Sequence, residues 1–189
     1  MIPNWNIICE GPSAVAATQA DMLDGPTVAV NMAIRACHQG IQVDCWAMED
    51  DPRLLWKYVQ DCLPQFKMVW GALDFREVWE SFGYKPDHLF LWEQTRTMGK
   101  TDKGDDMVLP TVFIALMKAK VHGAERIRLF GADMEGSGSP YTSWRPWAED
   151  ACGLAHRWEN ERLVLARAYR RLRGDGCRLE RWKPEVVLS

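Results

Sequence analysis

Several features that mark common protein classes are missing from this sequence. Lys and Arg total 23 against 26 Asp and Glu, so the net charge of −3 leaves no basic excess for binding nucleic acid or an anionic membrane. No apolar run approaches the roughly 20 residues of a membrane-spanning helix. The first residues show no basic segment followed by a long apolar one. We therefore expect a cytoplasmic protein with no membrane span and no general nucleic-acid binding.

The cysteines lack the spacing of a disulfide framework or a zinc site. None of the six belongs to a C-x-x-C pair, and several fall within apolar segments. We interpret them as reduced, buried small side chains. They are Cys9, Cys37, Cys45, Cys62, Cys152 and Cys177.

The sequence does contain enough apolar residues for one sizeable core. It has 189 residues, of which 47% are hydrophobic and 26% are charged, and it shows no internal repeat or linker-like tract. We expect a single domain spanning residues 1–189.

The stretch from Trp5 to Ser13 carries the first functional signal. An apolar strand over 5–9 runs into Glu10-Gly11-Pro12-Ser13, and a helix is predicted from Ala14. A strand that turns at Gly into a helix directs backbone N–H groups and the positive end of the helix dipole at one place, which suits a phosphate. The same residues serve purely steric needs in many α/β turns, so both interpretations stay open.

Strand-like and helix-like patterns alternate along the chain, which predicts a doubly wound, mostly parallel α/β sheet. Strands are predicted over 5–9, 27–31, 41–48, 67–70, 88–92, 126–130 and 177–182, and helices from 14 and over 32–38, 52–63, 74–82, 110–121 and 147–173. Segments 93–106 and 135–140 lack apolar periodicity, and we predict loops there, of the kind usually reserved for function or disorder.

Polar residues follow several of the predicted strands. The carboxyl ends of parallel strands meet at one edge of such a sheet, where ligands bind, so these residues should converge on one rim. Asn31 there can bond a ribose or base, or simply close a turn. Asp51 and its acidic neighbours can hold a divalent cation, or cap the helix after Pro52, which is the favoured role for Asp51. The rim residues are Glu10 to Ser13, Asn31, Glu49 to Asp51, Glu93 to Thr95, and Asp133.

Two residues outside that rim offer suitable chemical groups. Thr111, which follows Pro110 at a helix start, can present a hydroxyl and N–H groups to a second phosphate, or be an ordinary first-turn residue. His156 has the side-chain type that titrates near neutral pH, so it can act as a general base. Its place within the predicted long helix also fits a structural or exposed histidine.

Three segments that carry motifs, with the stretch Val43 to Asp50 between the second and the third, together resemble a known superfamily. The first runs from Ile7 to Ser13 and ends in G-P-S, and the second runs from Val28 to Asn31. The third, His122 to Met134, contains the pattern G-x-x-x-I-x-L-x-G-x-D. In this order they resemble the Rossmann-like superfamily that contains the bacterial sialyltransferases of glycosyltransferase family 42 and the 6-hydroxymethylpterin diphosphokinase-like proteins. The resemblance covers most of the chain.

That resemblance implies roles for individual residues. Asp133 matches the late Asp of the family, and Tyr141 matches a Tyr that follows it in the sialyltransferases. Those enzymes have a longer lid and a catalytic His beyond that Asp, whereas the first His here is His156, within a predicted helix. The residues that would hold the phosphate and sugar of a nucleotide are Gly11, Pro12, Ser13 and Asn31.

The function this resemblance implies is that of a nucleotide-sugar-dependent, sialyltransferase-like glycosyltransferase. It would move a sugar from a nucleotide donor to a hydroxyl of a small-molecule or glycan acceptor. N–H groups near Gly11 to Ser13 would stabilise the charge on the leaving phosphate, and His156 or Asp133 would deprotonate the acceptor. This hypothesis requires no cofactor.

Two alternatives stay open. Glu10 stands where the sialyltransferases have a small or amide residue, and a carboxylate beside a phosphate is unfavourable unless a metal or a base lies between them. A Mg²⁺-dependent diphosphokinase would use Glu10, Glu49, Asp50 or Asp133 as ligands. The fold can also serve as a non-catalytic nucleotide-binding or assembly module, and a homo-oligomer is compatible with each hypothesis.

Overall fold

The computed structural model describes residues 3–11, 13–14, 17, 23–48, 51–62, 68–71, 75–85, 87–88, 97–100, 106–108, 111–132 and 151–182. Side chains are not included in that description at 58, 87–88, 97–100, 106–108 and 151–161.

Short apolar segments rich in β-branched and aromatic residues form most of the strands. Their bounds are β1 Asn4–Ile8, β2 Thr27–Val30, β3 Cys45–Met48, β4 Met68–Gly71, β5 Asp87–His88, β6 Thr97–Lys100, β7 Asp106–Val108, β8 Arg126–Phe130 and β9 Arg178–Trp182. Seven strands form one sheet in the order β5-β4-β3-β2-β1-β8-β9, and its neighbouring strands pair in parallel. β6 and β7 pair antiparallel in a separate ribbon.

Helices connect the strands of the main sheet. A 3-10 helix occupies Asn31–Gln39, and the α-helices are α1 Arg53–Val59, α2 Arg76–Ser81, α3 Thr111–Val121 and α4 Ala151–Gly174. The 3-10 helix ends at Gly40, whose φ of 81° lies in the left-handed region. This turn lets the N–H groups of Gly40 and Ile41 donate to carbonyls of the last helical turn.

Side chains alternate between two cores on opposite faces of the sheet. Ile7 shares one core with Leu116 of α3, whereas its neighbour Ile8 shares the other with Ile34 of the 3-10 helix. Successive strand side chains point to opposite faces, so both faces need a cover. Residues of α3 and α4 pack on the first face, and those of the 3-10 helix, α1 and α2 pack on the second. The predicted doubly wound, mostly parallel α/β sheet is confirmed.

Two predicted segments differ from the structure. The third strand begins at Cys45 rather than Ile41. The buried Ile41 packs with the 3-10 helix instead, because its N–H donates a hydrogen bond to the carbonyl oxygen of Ala36 in the last turn of that helix. The loop predicted over 93–106 contains β6 and the first residue of β7. Antiparallel pairing is made by backbone groups and needs no apolar period, so hydropathy does not reveal it.

Other predicted segments lie largely beyond the description. Of the helix expected from Ala14, residues 14 and 17 are described, in 3-10 turns that also include Ser13. Segment 135–140 lies outside the described residues. Within the described part of the chain, no helix has both the length and the apolar character needed to cross a membrane.

Candidate active site

The strand order reverses at β1, and the carboxyl end of such a strand is where sheets of this kind form a ligand crevice. This strand pairs with β2 on one side and with β8, far along the chain, on the other. Where the strand order reverses in this way, the loops leave toward opposite faces and ligands bind between them. The described residues at this rim are Glu10, Gly11 and Ser13 after β1, Asn31 after β2, and Gly131 after β8.

Hydrogen bonds tie the loop after β1 to the loop after β8. The N–H of Gly11 donates to the carbonyl oxygen of Gly131 at 2.7 Å, and the N–H of Gly131 donates to Ser13 Oγ at 3.2 Å. Ser13 is only 7% exposed. The Gly11 N–H, which we expected to face a phosphate, is therefore committed to the protein.

Gly131 allows these loops to approach each other. Its φ of +68° lies in the left-handed region, and an added Cβ would lie 2.5 Å from the carbonyl oxygen of Cys9 and 2.7 Å from Cβ of Ala14. No other residue type fits there without moving the backbone. The glycine in the third motif thus has a steric role that joins it to the first.

Asn31 has an unusual conformation at the end of β2. Among the described residues it is the one non-glycine with a positive φ, 51°. Its Oδ1 atom is buried without a hydrogen-bond donor, while the side chain as a whole is half-buried. The indole N–H of Trp46, a fully buried residue, donates to its backbone carbonyl at 2.8 Å and holds this conformation in place. Strain and an orphaned polar atom on one residue are typical of a ligand-binding position.

Glu10 supports the same turn. Its Oε1 atom accepts a hydrogen bond from the N–H of Met32 at 3.2 Å, at the start of the 3-10 helix. The first N–H groups of a helix lack partners within it, and the positive end of the helix dipole favours a carboxylate there. This contact accounts for an acidic residue beside the predicted phosphate site without a metal.

Asp51 has the capping role that the sequence favoured. Its Oδ1 accepts a hydrogen bond from the backbone N–H of Arg53 at 2.9 Å, and its carboxylate pairs with the Arg53 guanidinium. The hydrogen bonds and positive charge of Arg53 hold the pKa of Asp51 below its ordinary value. A residue occupied in this way fits the start of α1 better than a cation site.

Thr111 lies at the N-terminus of α3 and is 6% exposed. This helix precedes β8 and must return the chain to the amino end of that parallel strand, so its N-terminus lies toward the carboxyl edge. The structure thus places Gly11, Ser13, Asn31 and Thr111 at the same edge of the sheet. The other predicted positions are outside the described residues: Pro12, Glu49, Asp50, Glu93 to Thr95, Asp133, Tyr141 and the side chain of His156.

Sequence reasoning missed a cluster between the ends of the 3-10 helix and α1. The five described cysteines are free and buried, as predicted, but Cys37 and Cys62 meet His38 and Asp61. Burial raises the pKa of both thiols above the ordinary value. The signal in the sequence is a pair of dipeptides, Cys37-His38 and Asp61-Cys62, which are too far apart to form a local motif.

Comparison with protein-family models gives no match, and comparison with curated proteins gives none either. Two solved structures are similar. One is a sialyltransferase CST-II in complex with CMP, with 12% identity and a TM-score of 0.59 over 97% of this chain and 82% of that one. The other is sialyltransferase CstII from Campylobacter jejuni with the substrate analogue CMP-3FNeuAc, with 10% identity and a TM-score of 0.57 over 99% and 84%.

At these identities the likeness shows a shared Rossmann-like fold. It agrees with the sialyltransferase part of the resemblance seen in the sequence. Neither comparison structure is a diphosphokinase, so that part of the resemblance has no support.

Proposed function

We propose that this protein is a nucleotide-sugar-dependent glycosyltransferase of the sialyltransferase type, with a cytidine nucleotide in the crevice beside β1. The observation that carries the proposal is the left-handed conformation of Asn31 together with its orphaned Oδ1. Strain of this kind persists where function uses it. The two structures of similar fold hold CMP and a CMP-sugar analogue, which supports a cytidine nucleotide as the ligand.

The rim residues have chemistry that fits such a ligand. The amide of Asn31 can donate and accept, which suits the base or the ribose. The Ser13 hydroxyl lies where the two loops join and suits a phosphate oxygen. Gly11 and Gly131 keep that surface free of side chains, and the N-terminus of α3 at Thr111 directs a positive dipole end toward the same edge.

In the proposed reaction, the acceptor hydroxyl oxygen forms a bond to the anomeric carbon of the donor sugar. The bond from that carbon to the phosphate oxygen breaks, and the nucleoside monophosphate leaves with the bonding electrons. The acceptor proton passes to a general base, for which we propose Asp133 or His156, and Tyr141 is proposed to contact the reacting groups. Donors at the crevice stabilise the negative charge on the departing phosphate.

Calorimetric titration of the full chain with CMP in the presence of EDTA tests the proposal. We expect saturable binding that EDTA leaves intact, and Ser13→Ala should weaken it about 10-fold through loss of one charge-assisted hydrogen bond. CMP release from a CMP-sugar then reports catalysis.

Asn4→Ala provides the matched control. Asn4 also carries a buried Oδ1 without a partner, but it lies at the opposite end of β1, so this change should leave CMP affinity unaltered. If the folded protein does not bind CMP but binds ATP with Mg²⁺, the proposal is overturned in favour of the diphosphokinase alternative. Binding without CMP release from any CMP-sugar would indicate a non-catalytic module.

A further inference from the structure

We propose that Cys37, His38 and Cys62 bind Zn²⁺, with Asp61 as the fourth ligand. The two sulfur atoms and a ring nitrogen of His38 all lie within 4.8 Å of one another. Nε2 of His38 is 3.3 Å from Sγ of Cys62 and 3.2 Å from Oδ2 of Asp61. Three donor atoms thus surround one small volume, and the Asp61 carboxylate lies beside two of them, at 3.2 Å from His38 Nε2 and 3.8 Å from Cys62 Sγ.

These separations match a tetrahedral zinc site. Zn–S bonds of about 2.3 Å and Zn–N or Zn–O bonds of about 2.1 Å place S and N about 3.6 Å apart, and N and O about 3.4 Å apart. The observed distances of 3.3 and 3.2 Å differ from those values by only a few tenths of an ångström. Binding of the ion by all four groups requires the exposed Asp61 side chain to rotate toward Cys37.

The donor set selects zinc among the common divalent ions. Two thiols and an imidazole are soft or borderline ligands, which suit Zn²⁺ and do not suit Mg²⁺ or Ca²⁺. Both cysteines are buried, whereas the side chains of His38 and Asp61 are 34% and 61% exposed. The sulfur atoms therefore form the inner wall of the site, and the exposed pair provides an entry path for the ion.

The position in the fold indicates a structural metal. The 3-10 helix and α1 each begin near the carboxyl ends of the strands they follow and return toward the amino ends. The cluster joins the ends of these two helices, at the opposite edge of the sheet from Asn31. Four protein ligands leave no open position for a substrate, as in structural zinc sites.

Titration of reduced, EDTA-treated full-length protein with Zn²⁺, and with Co²⁺ as a spectroscopic probe, tests this site. We expect one ion per chain, a sulfur-to-cobalt charge-transfer band, tetrahedral d–d bands that Zn²⁺ abolishes, and a raised melting temperature. Loss of an outer-sphere partner alone weakens metal binding by about 10–100-fold, so His38→Ala and Cys62→Ser should each weaken it by at least about 100-fold.

Two variants keep the test decisive. His38 is exposed, so His38→Ala should fold normally even if the buried Cys62→Ser does not. Cys177→Ala removes a buried free thiol outside the cluster and should leave the cobalt spectrum unchanged. Absence of a charge-transfer band, or its survival in folded His38→Ala protein, would overturn the proposal. The proposal would also be overturned if the protein forms a Cys37–Cys62 disulfide and takes up no metal once that disulfide has been reduced. None of these readouts involves a nucleotide, so they do not depend on the proposed function.

Discussion

Replacement of Asn31 by glycine should separate the stability of the fold from its function. Asn31 is held at φ 51° and carries a buried oxygen without a donor. Glycine adopts positive φ at no steric cost and has no side-chain oxygen to bury. If the residue is retained for a ligand, Asn31→Gly should stabilise the protein and impair nucleotide binding at the same time.

The expected magnitude follows from three terms. Relief of the left-handed conformation contributes about 1–2 kcal/mol, and removal of an unsatisfied buried polar atom contributes about 1–3 kcal/mol. The greater freedom of an unfolded glycine costs about 0.5–1 kcal/mol. Allowing for lost side-chain contacts, we expect a net gain of about 1–2 kcal/mol. For a chain of 189 residues this raises the melting temperature by about 2–8 °C.

Thermal denaturation and CMP titration of the same samples provide the assay. Asn31→Gly should melt higher and bind CMP at least about 10-fold more weakly, because an amide contact worth about 1.4 kcal/mol is lost. Asn31→Ala removes the same amide and its orphaned oxygen but keeps a Cβ in the left-handed region, so it should bind weakly and gain less stability than Asn31→Gly. If Asn31→Gly binds CMP as tightly as the unmodified protein, the proposed role of this side chain is wrong.

Three further changes test other contacts. Gly131→Ala places a Cβ 2.5 Å from the carbonyl oxygen of Cys9, so it should lower the free energy of unfolding by about 2–5 kcal/mol and abolish CMP binding. Denaturant titration measures the first effect and calorimetry the second. Unchanged CMP affinity would contradict a role for the contact between the loops after β1 and β8. Glu10→Gln keeps an oxygen that accepts from the N–H of Met32, so CMP affinity measured by calorimetry should stay within about 3-fold. If Glu10 were instead a Mg²⁺ ligand, loss of its charge would weaken nucleotide binding in the presence of Mg²⁺ by more than that. Burial raises the pKa of Cys177 above 9.0, so its contribution to stability is complete below that pH and is lost as pH rises through the folded-state pKa. Between about pH 8 and about pH 10, the melting temperature of Cys177→Ala should therefore fall less than that of the unmodified protein. An equal fall in both proteins would show that ionisation of Cys177 does not contribute to the pH dependence.

The main sheet could be predicted because its strands are buried on both faces. Such strands form continuous apolar runs, as in Thr27–Val30 and Cys45–Met48, and the turn residues between them mark their ends. The order of these elements and the right-handed crossover rule then place the strand ends at one edge. This is why Ser13 and Asn31 could be assigned to one rim before the fold was known.

The contacts that distinguish the site could not be predicted in the same way. The hydrogen bond between Gly131 and Ser13 joins residues 118 positions apart and depends on the register of β1 against β8. The cluster of Cys37, His38 and Cys62 depends on how far two helices run before they end. Hydropathy patterns record burial along one element, and neither the register between strands nor the meeting of two helix ends is written in them.

The residues at this rim indicate a site independently of the likeness to sialyltransferases. The likeness shows a shared fold, and at 12% identity it shows nothing about side chains. A stable sheet of this order needs neither a left-handed asparagine after β2 nor an orphaned oxygen on it. Trp46 and Glu10 instead donate and accept hydrogen bonds that maintain the strained turn and the start of the following helix. The unfavourable backbone conformation and the unsatisfied oxygen of Asn31 are thus maintained by contacts with neighbouring residues. This pattern is expected where a chain gives up stability for binding.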